Sequence, residues 1–118
     1  MAPRGVATAP LRFRAMKTAS EPPLPSGLVA FVKRECATCQ TVAPVLRQLA
    51  EASALTIYTQ DDKSFPEGLE PQDDTSLRVS WHHDVEVVPT LIRVEDGAEQ
   101  ARVIGWHRGE WEEKVELP

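Results

Sequence analysis

The stretch Leu28-Val-Ala-Phe-Val-Lys-Arg-Glu-Cys-Ala-Thr-Cys39 decides how this chain folds. It opens on an unbroken apolar run, bounded by Gly27 before it and Lys33-Arg34-Glu35 after it. So short a continuous run reads as a strand buried on both faces. Beyond Cys39 the apolar residues Val42, Val45, Leu46 and Leu49 recur at helical spacing, with Ala43 and Ala50 filling the same side. This spacing predicts an amphipathic helix from about Cys39 to Ala52. Pro44 falls inside that helix, removes one backbone hydrogen bond and is expected to kink it. The two cysteines therefore mark the junction between a buried strand and the helix that follows.

Working toward the C-terminus, Leu55-Thr-Ile-Tyr-Thr59 is β-branched and aromatic and predicts a second strand. An acidic, turn-rich loop follows from Asp61 to Asp74; it offers a recognition surface for a basic partner or is simply solvated. Asp73, Asp74 or Thr75 then caps a helix running to about His83, with Leu77 and Trp81 on one face. Thr90-Leu-Ile-Arg-Val-Glu95 is a third strand, Asp96-Gly97 a turn, and Ala101-Arg-Val-Ile-Gly105 a fourth strand pairing back. Gly109 to Leu117 has helical character, with Trp111 and Val115 four apart. The order β-α-β-α-β-β-α predicts an α/β fold, a central four-stranded mixed sheet flanked by helices. Trp81, Trp106 and Trp111 are assigned to core or partly buried packing.

Toward the N-terminus, Glu21-Pro-Pro-Leu-Pro-Ser-Gly27 can form neither helix nor inner strand. Residues 1–26 are expected to be a flexible extension and linker, and residues 27–118 one domain. Residues 1–20 carry Arg4, Arg12, Arg14 and Lys17 and no acid, while the chain as a whole is at −5. The body is thus strongly acidic, which argues against nucleic-acid binding. No run is long and apolar enough to span a membrane, and the leader lacks the apolar middle of a secretory signal. Its Arg- and Ala-rich composition suits an organellar transit peptide. Cytosol is the expected compartment, with an organelle as the alternative through residues 1–20.

The chemistry lies in the cysteine pair. Two cysteines exclude a disulfide framework of the small secreted kind. At a helix start, unpaired N–H groups and the macrodipole favour an anion, and the thiolate is the nucleophilic form of cysteine. A three-residue offset there brings the second sulfur within bonding reach of the first. Cys36 is then the attacking thiol and Cys39 the resolving one, both catalytic. Two other readings stay open. A structural disulfide needs the same two residues, and a metal site would have to recruit His82, His83 or His107; no metal is expected, because the strong zinc pattern needs a second pair.

The segment Leu28 to Cys39 resembles the strand and active-site turn of the thioredoxin family. Pro44 matches the proline that kinks the active-site helix there, and Val87-Val-Pro-Thr90 is similar to the family's hydrophobic–Pro–Thr segment. Gly97 and Gly105 also sit where the family places glycines. The resemblance covers about Gly27 to Glu116. It implies a thioredoxin-like fold and a cis Pro89 facing the cysteines, which exposes the backbone of Val88 for a substrate chain to pair with. Val88 and Pro89 are thus the implied substrate-binding residues. The implied activity is thiol–disulfide exchange with a disulfide-containing protein or small thiol, recycled by a reductase or glutathione. It needs no cofactor, because the electrons travel through the two sulfurs.

The chain also departs from that family. Glu35 stands where a tryptophan usually precedes the first cysteine, and its carboxylate disfavours a neighbouring thiolate. Ala30 occupies the position of a buried acid beneath the second cysteine, so release of the mixed disulfide is expected to be slower. Ala37 and Thr38 replace Gly-Pro between the cysteines, and the 61–74 loop is longer than usual. Ala30 and Glu35 support a rival reading, a non-catalytic thioredoxin-like interaction module of a larger protein, which the intact cysteine pair opposes.

Overall fold

A computed structural model describes residues 23–114 of the chain. Its elements are β1 (Gly27–Val32), α1 (Ala37–Ala52), β2 (Leu55–Thr59), β3 (Gln72–Asp73), α2 (Arg78–His82), β4 (Thr90–Glu95), β5 (Ala98–Ile104) and α3 (Arg108–Lys114). The strands form one mixed sheet in the order β3-β2-β1-β4-β5. β1 lies at its centre, parallel to β2 and antiparallel to β4. The leader 1–20, and with it the transit-peptide expectation, lies outside the described residues, as do Val115 and Leu117.

The apolar run of β1 is buried on both faces. Leu28, Ala30 and Val32 pack with Val42, Ala43, Leu46 and Leu49 of α1 and with Trp111 of α3. Val29 and Phe31 pack on the opposite face with Val85, Ile92 and Val94. Leu24, from the proline-rich stretch, is buried in that second cluster. At the start of β1, Gly27 has φ 108°, and a Cβ there would meet the carbonyl oxygen of Ala54 at 2.8 Å. The α1 stripe of Val42, Leu46 and Leu49 is buried as its spacing implies, whereas Ala50 faces outward.

The sheet has five strands rather than four. The added strand, Gln72–Asp73, lies in the stretch expected to be loop and pairs parallel with Tyr58 and Thr59. Glutamine and aspartate have little strand propensity of their own. Their pairing comes from the unpaired edge that β2 would otherwise present, continued by the Asp74 N–H donating to the Thr59 carbonyl at 2.9 Å.

α2 is also shorter than its capping residues suggested, starting at Arg78 rather than near Asp73 to Thr75. The cause is local. Leu77 is left-handed at φ 64°, and its N–H donates to the Asp74 carbonyl at 2.8 Å, closing a turn before the helix. Asp74 nevertheless serves the helix start from a distance, accepting the N–H groups of Val79 at 2.8 Å and Ser80 at 2.9 Å. Trp81 is 51% exposed, against the packing role expected for it. Helix α2 instead turns Ser80 and His82 inward. Trp111 is fully buried, and its indole N–H donates to the Gly105 carbonyl at 2.9 Å. Trp106 is partly buried edge-on against it, with ring centroids 4.8 Å apart.

β4 and β5 form a hairpin through Asp96-Gly97, whose φ values of 53° and 78° make the tight turn that aspartate-glycine favours. β5 begins directly after this turn, at Ala98, three residues earlier than the apolar pattern indicated.

Candidate functional site

Cys36 is the N-cap of α1, in extended conformation at φ −151° and ψ 110°. That geometry turns its side chain back over the first helical turn. The Cys39 N–H donates to Cys36 Sγ at 3.1 Å, so one of the orphan donors of the helix start is aimed at this sulfur. On its other side, the Cys36 thiol faces the Val88 carbonyl oxygen at 3.7 Å. The Val88–Pro89 peptide bond is cis. Pro89 is buried, and its carbonyl accepts the Gly105 N–H at 2.7 Å, which ties this segment to the end of β5. The structure therefore brings all four residues singled out in the sequence, Cys36, Cys39, Val88 and Pro89, to one place.

The two thiols are free and differ in environment. Cys36 is half-buried. Cys39 is fully buried in the core that holds Ala30 and Val42. Burial first, and then the hydrogen bond with Cys36, push the Cys39 thiol up to about 12. Ala30 is itself completely buried, so this side of the core is apolar where the family resemblance places an acid.

The loop leading into Cys36 is held mainly by residues of the 61–74 stretch, expected to be a recognition surface or a solvated loop, and by Gln40 of α1. The Asp61 carboxylate accepts the backbone N–H groups of Arg34 at 2.8 Å and Glu35 at 3.0 Å. The Gln40 side-chain amide donates to the Arg34 carbonyl at 2.6 Å, and the Gln40 N–H donates to the Cys36 carbonyl at 3.0 Å. The Arg34 guanidinium pairs with Asp62 and Glu67 and lies 5.1 Å from the centre of the Phe65 ring. Phe65 is buried in the main core and precedes a second cis proline, Pro66. The sequence carries no signal for this arrangement beyond a pair of acids, Asp61-Asp62, shortly after a strand.

Glu35 is exposed beside Cys36. His82, His83 and His107 do not join the cysteines: among the described residues no three His, Cys, Asp or Glu side chains converge to hold a metal. Among the described residues no helix is long and apolar enough to cross a membrane.

Residues 12–106 match the family model described as TraF: F plasmid transfer operon protein. A curated relative, Thioredoxin H-type 1 of Nicotiana tabacum, is 27% identical over 88 residues, 75% of this chain. The aligned part is 62% of that relative's length. Among solved structures, the reduced thioredoxin pre-protein of Schistosoma mansoni superposes with a TM-score of 0.58 at 16% identity, covering 90% of this chain and 89% of that one. Fasciola hepatica thioredoxin superposes with a TM-score of 0.54 at 21% identity, covering 77% and 79%. The fold is thioredoxin-like.

Proposed function

We propose that this chain, which belongs to the TraF (F plasmid transfer operon protein) family, exchanges a Cys36/Cys39 dithiol for the disulfide of a protein or small-thiol partner. The observation that carries this reading is the seat of Cys36 Sγ, between the Cys39 N–H at 3.1 Å and the Val88 carbonyl at 3.7 Å. One neighbour is a donor suited to a thiolate. The other belongs to the backbone with which an incoming extended chain would pair, next to Pro89.

The exchange balances without a cofactor. Cys36, as thiolate, attacks one sulfur of the partner's disulfide. A new S–S bond forms, the old one breaks, and the departing sulfur leaves with its electron pair and takes up a proton. Cys39, once deprotonated, attacks Cys36 Sγ, closes the internal disulfide and releases the partner's second thiolate, which is protonated in turn. Two electrons and two protons pass from the dithiol to the partner. A reductase or glutathione then returns the pair to the dithiol.

Burial of Cys39 supports this division of labour, because a thiol pushed up to about 12 is a poor first nucleophile. Forming the mixed disulfide on Cys36 removes the hydrogen bond that contributes to this shift. We place the activity in the cytosol, where thiols of this kind are kept reduced.

The test is a redox titration in defined thiol–disulfide buffers, with the Cys36/Cys39 pair read by alkylation mass shift. A reversible two-electron couple is expected. A potential near about −270 mV marks a reductase and one near about −120 mV an oxidant. If no internal disulfide forms in any buffer, the exchange mechanism fails and the chain is a non-catalytic binding module.

A further inference from the structure

We propose that Asp61 is a positioning residue for Cys36: its carboxylate holds the backbone N–H groups of Arg34 and Glu35, the two residues before the cysteine, and so sets where the sulfur lies. The role rests on Cys36 being the attacking thiol. Asp61 follows β2, and the N–H groups it accepts, those of Arg34 and Glu35, lie far away in sequence but directly precede Cys36. The Asp62 N–H donates to the same carboxylate at 2.6 Å, which fixes its orientation. Charged acceptors make the stronger hydrogen bonds, and this one spans two neighbouring donors.

Gln40 and Arg34 complete the grip. Gln40 takes the Arg34 carbonyl from the helix side. The Arg34 side chain reaches back to Asp62 and Glu67 over the Phe65 ring, joining the two loops a second time. The backbone of Arg34 and Glu35 is thus held by side chains from α1 and from the loop after β2. The sulfur must meet the Cys39 N–H and the Val88 carbonyl together, so freedom in this backbone loosens both contacts.

A carboxylate acting on Cys36 only through space has the opposite effect. It opposes the thiolate, and its removal would speed reaction of the sulfur. The sign of the change therefore separates holding from repulsion.

The experiment compares the full chain with Asp61→Ala and Asp61→Asn, using Asp73→Asn as a control that removes a β3 carboxylate bonded to the Thr75 N–H of its own turn. The rate of Cys36 alkylation by iodoacetamide at pH 7 is read by peptide mass. Asp61→Ala is expected to slow it about threefold, because the sulfur is no longer held in place against the Cys39 N–H. Asp61→Asn, which keeps one acceptor oxygen, slows it less, and Asp73→Asn leaves it unchanged. A rate that is unchanged or faster in Asp61→Ala overturns the proposal. If circular dichroism shows that the alanine variant is not folded, Asp61→Asn decides by the same sign. The redox couple of the unsubstituted chain is a separate measurement, so its absence would sink the exchange reaction without touching the positional effect.

Discussion

Cys39 lies fully buried one helical turn behind Cys36, and its backbone N–H points at the Cys36 sulfur from 3.1 Å. The same residue thus offers its amide to the first thiol while withholding its own sulfur from water. An alkylating reagent at neutral pH is expected to label Cys36 at least about tenfold faster than Cys39. Equal labelling of the two in the folded protein would contradict this geometry.

The buried thiol also makes stability depend on alkaline pH. Burial, and then the Cys36 hydrogen bond, raise Cys39 from an ordinary 9.0 to about 12. In that window the unfolded chain loses the proton and the folded one keeps it, so stability falls as pH rises through it. Denaturant midpoints measured across this range should decline, and Cys39→Ala should flatten the decline. An unaltered slope in the variant would assign the effect elsewhere.

The loop held by Asp61 responds to acid instead. Partial burial raises the Asp61 carboxyl, but the N–H groups of Glu35, Arg34 and Asp62 outweigh it and hold it below the ordinary 3.8. Asp62 is drawn down to about 2 by the Ser64 hydroxyl and N–H and by Arg34. Arg34, Glu35, Asp62 and Lys63 line the same surface cleft as this carboxylate. Lowered values mean that the stabilisation is complete above the unfolded value and is lost as pH falls through the folded one. The amide proton resonances of Arg34 and Glu35 should therefore titrate with a midpoint below 3.8. A midpoint at or above that value would show that the carboxylate does not accept these bonds.

Ala30 is buried in the same apolar cluster as Cys39, at the position where the family resemblance places an acid. Ala30→Asp should speed release of the mixed disulfide by supplying a base. It should also cost about 3 kcal/mol in stability, from burying a carboxyl among apolar groups. Stopped-flow decay of a preformed mixed disulfide and a urea melt measure the two effects. Destabilisation without faster release would mean that the missing acid does not limit turnover.

Asp74 is the buried acid that the fold does use. It accepts from the Val79 N–H and from both the N–H and the hydroxyl of Ser80, the last at 2.6 Å. Ser80 in turn receives the Gln60 amide at 2.8 Å. Asp74→Ala leaves these donors without their acceptor and should cost about 2–4 kcal/mol. Asp74→Asn should recover part of that. Chemical denaturation of both variants checks the order, and a loss below about 0.5 kcal/mol for the alanine variant would show that water replaces the carboxylate.

Much of this protein was legible along the chain because the signals were local. The run from Leu28 to Val32 has too few polar residues for an exposed face, and the Val42, Leu46, Leu49 stripe has a helical period. Together they place Cys36 and Cys39 at a helix start before any tertiary contact is known. Asp96-Gly97 announces its hairpin for the same reason, since the turn needs backbone angles that those residues tolerate. Pro89 was legible only through a family resemblance.

What the tertiary structure decided is everything that joins distant segments. Nothing in Asp61 distinguishes it from Asp62 or Asp73 until β2 lies parallel to β1 and brings its end beside Arg34 and Glu35. The pairing of Gln72–Asp73 needs the open edge of β2, and the late start of α2 needs Leu77 in a left-handed turn closed by Asp74. The burial that separates Cys39 from Cys36 likewise requires the sheet to be packed beneath the helix. The physical division is between periodicity and contact. Hydrophobic spacing selects each helix and strand within a few residues of chain, whereas the hydrogen-bond partner of a polar side chain is chosen by whichever backbone the folded core places within about 3 Å of it.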